Sequence, residues 1–474
     1  MKKRKALMYV EETVSLPLME IATVNFNSKI KRVSGFPEIL FAKSDKKFIQ
    51  RKGNTMYILP GYTTHYEENG AIYVSSKLLQ NKVMLTEPDI QEEFRTIVKS
   101  GGCPEISTPL TKFLHEQELL LNNEEIRTAV AEVKNLLNNT LMLTIMPTEG
   151  CNFRCPYCYE VHRAVSMFRD TLDRIQEYIT EQASRFPNIH ISWFGGEPTL
   201  CKDVILETNA LVQELQEKHQ FHFTSSMTTN GYLLDAKNFQ EYYAAGITDY
   251  QITLDGWGHD KIRPHVSGGG TLQTILDNLV LLASLDAERY PFHITLRRNI
   301  LANDMDFTWY DHLYDLFGND KRFFMLVVPV GDWGGKTVKA LDLQKKESKK
   351  ELILAHKAYI DKIGMQWGKQ DEVPFSNVCY ASYPYGFVFR PNGKIEKCTV
   401  ALDHPKNLVG TVDPDKGVIL DEEANRLWSG SDLKSECSTC PSLLSCLNLA
   451  CRKQLVVDGR TEGGCPYDAR LAIK

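Results

Sequence analysis

From Thr140 onward the chain alternates short apolar runs with longer amphipathic ones, and no other feature restricts its fold as strongly. Residues 141–145, 189–194, 222–228, 249–254, 292–300 and 323–328 read as strands from their length and their apolar, β-branched and aromatic content. Between them, residues 171–186, 201–218, 236–245, 272–285 and 307–316 read as helices. Leu172, Ile175, Tyr178 and Ile179 share one face of the first. Strands that alternate with helices predict a parallel sheet with helices packed outside it. If that sheet curls into a barrel, chemistry belongs at the C-terminal ends of the strands, where the strand-to-helix loops gather.

The motifs fall at those ends. The first strand runs into Cys151-Asn152-Phe153-Arg154-Cys155-Pro156-Tyr157-Cys158, three cysteines spaced C-x-x-x-C-x-x-C. Soft thiolates select iron–sulfur clusters, zinc or copper(I). A 4Fe-4S cube has four irons and takes four ligands, so three cysteines leave one iron open to a small chelating molecule. The plainer alternative is a structural zinc knuckle, but zinc motifs more often pair C-x-x-C and need four ligands. Gly195-Gly196-Glu197-Pro198 follows the second strand, where glycines let a backbone come close to a ligand. Thr229-Asn230-Gly231 closes the third strand and Thr253-Leu254-Asp255-Gly256 the fourth.

Residue for residue, the cysteine loop resembles the cluster motif of S-adenosylmethionine (SAM) radical enzymes, which often have an aromatic residue where Tyr157 stands. The resemblance implies a partial, TIM-like (β/α)6 barrel over residues 139–335. It implies a 4Fe-4S cluster on Cys151, Cys155 and Cys158, whose open iron holds the amino and carboxylate groups of SAM. An electron from the reduced cluster then cleaves SAM to methionine and a 5′-deoxyadenosyl radical. By the same resemblance Gly195, Gly196 and Glu197 receive the amino group of SAM. The stretch from Thr253 to Arg263 is similar to the SLDG…HDxxR stretch of SAM radical peptide maturases and anaerobic sulfatase-maturing enzymes. Thr253 replaces serine and keeps the hydroxyl, for the ribose or the methionine carboxylate. Arg263 can pair with that carboxylate, though its spacing is shorter than in some relatives. Asn230, Arg297, Asn299 and Val330 would line the pocket, and core packing explains the valines equally well. No residue is identifiable as the catalytic base.

Before the barrel, residues 1–138 alternate β-like pieces with turns and then turn helical. Met56-Tyr57-Ile58-Leu59 and Ala71-Ile72-Tyr73-Val74 are β-like, with a hairpin signal at Glu67-Glu68-Asn69-Gly70 between them. Thr86 is expected to cap a helix that stops at Gly101-Gly102, with helices over 109–118 and 123–137 to follow. This order resembles the winged-helix-like domain that grips leader peptides in peptide-modifying systems. A leader would add a strand to an exposed sheet edge, main-chain hydrogen bonds giving affinity. The alternative is a plain stabilising extension.

After the barrel, residues 336–374 read as a charged helical connector, and residues 375–474 carry Cys379, Cys398, Cys437, Cys440, Cys446, Cys451 and Cys465. Gly393-x4-Cys398 and Cys437-x2-Cys440-x5-Cys446 resemble the SPASM domain, an iron–sulfur extension with two auxiliary 4Fe-4S clusters. Four residues separate Cys446 from Cys451, where the common pattern has three. The resemblance implies one fully ligated auxiliary cluster on Cys437, Cys440, Cys446 and Cys465. It implies another, with an open iron, on Cys379, Cys398 and Cys451. An open iron could take a substrate thiolate, as thioether formation requires; a non-cysteine residue could fill it instead. Zinc in a ribbon would explain four cysteines but not the wider set. Cys103 and Cys201 fall outside both patterns and read as free or packing thiols.

The whole therefore reads as a SAM radical, SPASM-domain maturase of ribosomally made peptides, of the sactipeptide or ranthipeptide type. The expected product is a thioether from a cysteine sulfur to a carbon. Expected partners are a precursor peptide and a flavodoxin- or ferredoxin-type electron donor. Carbon–carbon cross-linking and formylglycine formation are alternative chemistries, and a non-catalytic cluster or zinc carrier is the non-enzyme alternative. With a net charge of -5 and no long basic block, nothing points to a nucleic acid partner. No apolar run is long enough to span a bilayer. The basic start, Met1-Lys2-Lys3-Arg4-Lys5, lacks a following signal core, so a cytoplasmic setting is expected. There, a chain with twelve cysteines reads as metal- or cluster-binding rather than disulfide-bonded.

Overall fold

The computed structural model describes residues 20–22, 55–76, 78–79, 81–335, 337–343, 349–368, 378–429, 437–440, 443 and 451–459. The chain divides into two compact units. Residues 1–133 with 373–377 and 432–448 form one; residues 134–372 with 378–431 and 449–474 form the other.

In the first unit, strands β1 (Glu20–Ala22), β2 (Tyr57–Ile58), β3 (Thr63–Glu68), β4 (Ala71–Ser76) and β5 (Asn81–Leu85) precede helices α1 (Pro88–Ser100) and α2 (Pro109–Glu116). Strand β6 (Leu121–Asn122) and helix α3 (Asn123–Leu137) come next, the last four residues of α3 counting with the second unit. β3 and β4 form an antiparallel hairpin that turns at Asn69-Gly70, with φ of 49° and 77°. Two left-handed residues are what a tight hairpin turn requires. The turn is where the sequence puts it, but its first arm is β3. The apolar run around Tyr57 pairs instead with β6, far along the chain. Helix α1 is capped by Glu87 rather than Thr86, without a side-chain cap bond, and Pro88 presets its first turn. It stops at Gly101, φ 72°. Helix α2 ends at Glu116, two residues before its expected end, where Glu118 turns left-handed at φ 57°.

The second unit holds β7 (Thr140–Ile145), α4 (Arg169–Gln182), β8 (Asn188–Trp193), α5 (Lys202–His219), β9 (His222–Thr229), α6 (Ala236–Ala244), β10 (Ile247–Thr253), α7 (His259–Ile262), α8 (Leu272–Ala283), β11 (His293–Ile300), α9 (Thr308–Phe317) and β12 (Phe323–Pro329). β7 to β12 are parallel neighbours in chain order. This is the expected α/β fold, a partial (β/α)6 barrel. Burial alternates along the strands: Ile189, Ile191 and Trp193 are buried, while His190 and Ser192 are only half-buried. The apolar face packs on helix residues such as Ile175, Val212, Phe239, Leu279 and Leu313. The other face is polar; His190 bonds Thr224 Oγ1 at 2.8 Å and Ser226 Oγ at 3.1 Å.

The sheet does not stop at six strands. α10 (Lys349–Ile363) is followed by β13 (Gly386–Phe389), β14 (Lys394–Glu396), β15 (Leu408–Asp413), β16 (Gly417–Leu420) and α11 (Glu422–Ser429). β13 pairs parallel to β7, Gly386 opposite Met142 and Phe389 opposite Ile145, and β14 to β16 add antiparallel to it. The result is one ten-stranded sheet in which β7 is an interior strand. The charged stretch before it forms α10, which buries Leu352, His356 and Ile360. Among the described residues, no helix is long and apolar enough to cross a membrane.

Candidate functional site

The loop between β7 and α4 carries Cys151, Cys155 and Cys158. Burial pushes the Cys151 and Cys158 thiols up to about 12 and raises Cys155 as well. Cys155 adds to the rise at both of the others, so the three sulfurs share one electrostatic neighbourhood. Thiols held this way stay protonated until a metal displaces the proton. The Phe153 amide donates to Cys151 Sγ at 3.3 Å, and His162 Nε2 lies 3.3 Å from Cys158 Sγ.

Gly195 and Gly196 lie against this loop. A Cβ on Gly195 would collide with the Thr148 carbonyl, and one on Gly196 with the Gly150 carbonyl. The sequence assigns the glycines' spare room to a ligand; the backbone of the cysteine loop occupies it. Gly196 N donates to Thr148 O at 3.2 Å and Glu197 N to Gly150 O at 2.9 Å. The Glu197 side chain is 1% exposed. Its Oε1 accepts from Thr199 N (3.1 Å), Thr199 Oγ1 (2.6 Å) and Thr229 Oγ1 (2.6 Å), and its Oε2 from Asn230 N (2.7 Å). Burial raises its pKa, and these four donors pull it back. Asn230 Nδ2 in turn donates to Asn152 Oδ1 at 2.7 Å, joining the end of β9 to the cysteine loop.

A second polar group forms around Tyr157. Its hydroxyl donates to Asp255 Oδ2 and accepts from Arg263 Nη1 at 2.6 Å and Asn299 Nδ2 at 3.2 Å. Asp255 Oδ1 accepts from the Asn299 amide at 2.8 Å. Burial raises the Asp255 pKa, and the Arg263 guanidinium opposes that rise. Arg263 also faces the Phe153 ring, 5.6 Å from its centroid. Arg297 Nε donates to Asn299 Oδ1 at 3.0 Å. Thr253 is buried at the end of β10, in register with Arg297, and Val330 is buried with its amide on Ile300 O. Asp255 anchors the Tyr157 hydroxyl in this group, and sequence reasoning passed over it. The signal was available: an acid at the C-terminal end of a strand, followed by a glycine at φ 82°.

Two buried nitrogens here lack a hydrogen-bond partner, Arg263 Nε and His259 Nε2. His259 is neutral: burial, with Arg263 nearby, lowers its pKa to about 3. Its Nδ1 accepts from the Asp255 amide at 3.2 Å, which leaves the proton on Nε2. Arg263 lies near enough to Cys151 and Cys155 to pull their thiol pKa values down, and its orphaned Nε suits an anionic group there. Among the described residues, no group of three His, Cys, Asp or Glu side chains is placed to hold a single metal ion.

Further along the second unit, burial raises the Cys398 thiol to about 12, and Cys379 and Cys451 add to the rise. Ser382 Oγ, fully buried one turn after Cys379, has no partner. Lys397 is also fully buried; burial lowers its pKa to about 7, and its Nζ donates to Tyr383 O at 2.7 Å. Cys437 and Cys440 belong to the first unit, where Ser438 O accepts from Gly61 N at 2.8 Å. Cys446 and Cys465 lie outside the described residues. Cys103 pairs its backbone with Tyr57, and Cys201 Sγ lies 3.6 Å from Ser166 Oγ.

Residues 145–297 match the Radical SAM superfamily. A GTP 3′,8-cyclase from Haemophilus ducreyi is 29% identical over 176 residues, 36% of this chain and 49% of the relative. One from Clostridium botulinum is 24% identical over 194 residues, 40% of this chain and 57% of the relative. The chain thus spans about half the length of the curated relatives it matches. Among solved structures, native anSMEcpe with bound AdoMet and Cp18Cys peptide is 17% identical at a TM-score of 0.45, covering 65% of this chain and 88% of that one. Streptococcus suis SuiB bound to precursor peptide SuiA is 14% identical at 0.42, covering 82% and 90%. Three cysteines on the loop after β7 and a family match over the strands that surround them identify this part of the chain as a radical SAM domain.

Proposed function

We propose that this protein is a radical SAM enzyme that modifies a ribosomally made precursor peptide, joining a cysteine sulfur to a carbon. What supports the reading most is Cys151, Cys155 and Cys158 on the loop after β7, inside the stretch that matches the Radical SAM superfamily. A 4Fe-4S cluster on the first group, with SAM, supplies a 5′-deoxyadenosyl radical when bound. Gly195, Gly196 and Glu197 would hold the amino group of SAM. Arg263 and Thr253 would hold its carboxylate or ribose; Asn230, Arg297 and Val330 would flank them. Tyr157 and Asp255 orient Arg263 through the hydroxyl they share. Cys379, Cys398 and Cys451 would carry an auxiliary cluster with one open iron for the peptide thiol, and Cys437, Cys440, Cys446 and Cys465 a closed one. The first unit would grip the leader peptide along a strand edge. A flavodoxin or ferredoxin would supply electrons in a reducing, cytoplasmic setting.

The test is an anaerobic reaction of the reconstituted protein with SAM, a reductant and a cysteine-containing precursor peptide, read by mass spectrometry. Loss of two hydrogens with one cysteine no longer alkylatable is the expected result. The same loss with every cysteine alkylatable would indicate carbon–carbon cross-linking. An aldehyde in place of the cysteine would indicate formylglycine formation, and no cleavage of SAM would leave a carrier.

A further inference from the structure

The exposed apolar side chains on the barrel loops are gathered at one end. Val161 and Phe168 lie on the loop after β7, Leu200 after β8, Trp257 after β10, Met305 after β11 and Trp333 after β12, and all are exposed. At the opposite end, where each helix runs into the next strand, no large apolar side chain is exposed among the described residues. Scattered apolar residues are ordinary on a protein surface, but a set confined to one rim marks a surface that meets a partner. This rim is the end of the barrel that carries the loop of Cys151, Cys155 and Cys158.

Two tryptophans stand on the rim, and they differ. Trp257 is 53% exposed, but its Nε1 donates to Thr308 Oγ1 at 3.1 Å and its ring meets Trp309 edge-on, with centroids 4.9 Å apart. Packing on α9 accounts for its place. Trp333, 48% exposed, stands at the tip of a loop whose two ends are fixed. Before the tip, Val330 N donates to Ile300 O at 2.9 Å. After it, Gly335 is buried against the cysteine loop, where a Cβ would collide with the Cys158 carbonyl, and Thr337 Oγ1 donates to Pro156 O at 2.6 Å. At the tip itself Gly334 N donates to Asp332 Oδ1 at 3.0 Å. The indole lies over Gly331, where a Cβ would run into it, and Lys453 Nζ is 5.8 Å from the ring centroid. Lys453 is itself paired with Asp458 at 3.0 Å, so this part of the rim presents an indole face rather than an unpaired cation. An indole already held in place loses little freedom when a ligand packs on it, and it offers a large apolar area.

We propose that Trp333 anchors the precursor peptide: an apolar or aromatic side chain of the peptide packs on its indole and fixes which peptide residue faces the cysteine loop. The proposal rests on the peptide-modifying reading above and names the residue that selects within it. That reading is checked first. If the reconstituted parent cleaves SAM but never changes the mass of the cysteine-containing precursor peptide, the peptide reading fails, and the anchor with it, before any Trp333 variant is made.

The variants are then Trp333→Ala and Trp333→Phe. Peptide KM and kcat are read anaerobically by mass spectrometry, and SAM affinity by titration calorimetry. Both variants are expected to melt with the parent, because an exposed ring contributes little to the core. Loss of a tryptophan anchor is expected to raise the peptide KM about tenfold, with kcat at saturating peptide and SAM affinity within about twofold of the parent. Trp333→Phe keeps a ring and is expected to recover most of the loss. Serine substitutions at the apolar positions of the peptide then locate the partner side chain. Its replacement raises KM with the parent but adds nothing with Trp333→Ala, as two groups that act through one contact must. An unchanged peptide KM in Trp333→Ala overturns the proposal. So does a loss of SAM affinity without a change in peptide KM, which would place Trp333 in the cofactor pocket.

Discussion

Asp403 shows how one side chain can carry a pH signature. Burial alone would raise its pKa, but hydrogen bonds from Lys394, Arg390 and Arg163 hold it well below the usual carboxylate range. A carboxyl depressed in the folded state stabilises the fold above its unfolded pKa of about 3.9, and that stability is lost as pH falls through the folded value. Asp403→Asn should therefore flatten the acid limb of a pH-dependent melting curve below about pH 4 while barely changing its shape near neutrality. An unchanged acid limb would remove Asp403 from the set of groups that drive acid unfolding. Arg263 makes the corresponding test for ligand binding. A charge-assisted hydrogen bond is worth about 1.5–3 kcal/mol, so Arg263→Met should weaken anaerobic SAM binding roughly tenfold or more. Titration calorimetry reads this, and Arg263→Lys, which keeps the charge but loses the fork, should fall between. The sequence marks Arg263 and Tyr157, but the meeting of Arg263 and Asp255 on the Tyr157 hydroxyl is invisible in it. Tyr157 and Asp255 are 98 residues apart, Tyr157 and Arg263 106, and no local pattern encodes contacts that loops on different strands bring about.

At the scale of elements, periodicity and boundaries behaved differently. The β7-to-β12 series is legible because short runs rich in apolar, β-branched and aromatic residues, five to nine residues long, alternate with amphipathic helices. β13 and β14 are four and three residues long and sit among glycines and prolines, so neither period has room to register. β2 and β6 are two residues each and are defined by pairing with one another across more than sixty residues of chain, too short for any period to register. Yet β13 matters to the barrel, because it covers what would otherwise be an open edge. Met142 N donates to Tyr385 O at 3.0 Å and Met146 N to Phe389 O at 2.9 Å. A chain cut after residue 377 would leave those groups on an exposed, apolar parallel strand, which is a template for intermolecular pairing. Such a truncation should therefore aggregate on expression even though all six barrel strands are present; a monodisperse monomer in light scattering would contradict this. Within the full chain, Phe389→Ala should cost about 3–5 kcal/mol in denaturant unfolding, because the side chain is fully buried between β13 and the helix layer.

For the whole molecule, the question is whether the cysteines form separate working parts. Cys151, Cys155, Cys158, Cys379, Cys398 and Cys451 belong to the second unit, while Cys437 and Cys440 belong to the first. Thiols whose pKa burial has raised to about 12 are costly to ionise without a metal, so the groups should load independently, each according to its own ligands. A chain with three cubane clusters holds about twelve irons, four to each. Changing Cys151, Cys155 and Cys158 to alanine should remove about four irons and abolish reductive cleavage of SAM. Changing Cys379, Cys398 and Cys451 should also remove about four, yet leave SAM cleavage to methionine and 5′-deoxyadenosine intact and uncoupled from the peptide. This second variant separates the two halves of the proposed reaction. If it still forms the thioether, the open auxiliary iron is not where the peptide sulfur binds, and the linkage must form in the barrel alone. If it cleaves SAM but returns the peptide unchanged, radical generation belongs to the loop after β7 and sulfur capture to the strands that extend the same sheet beyond it.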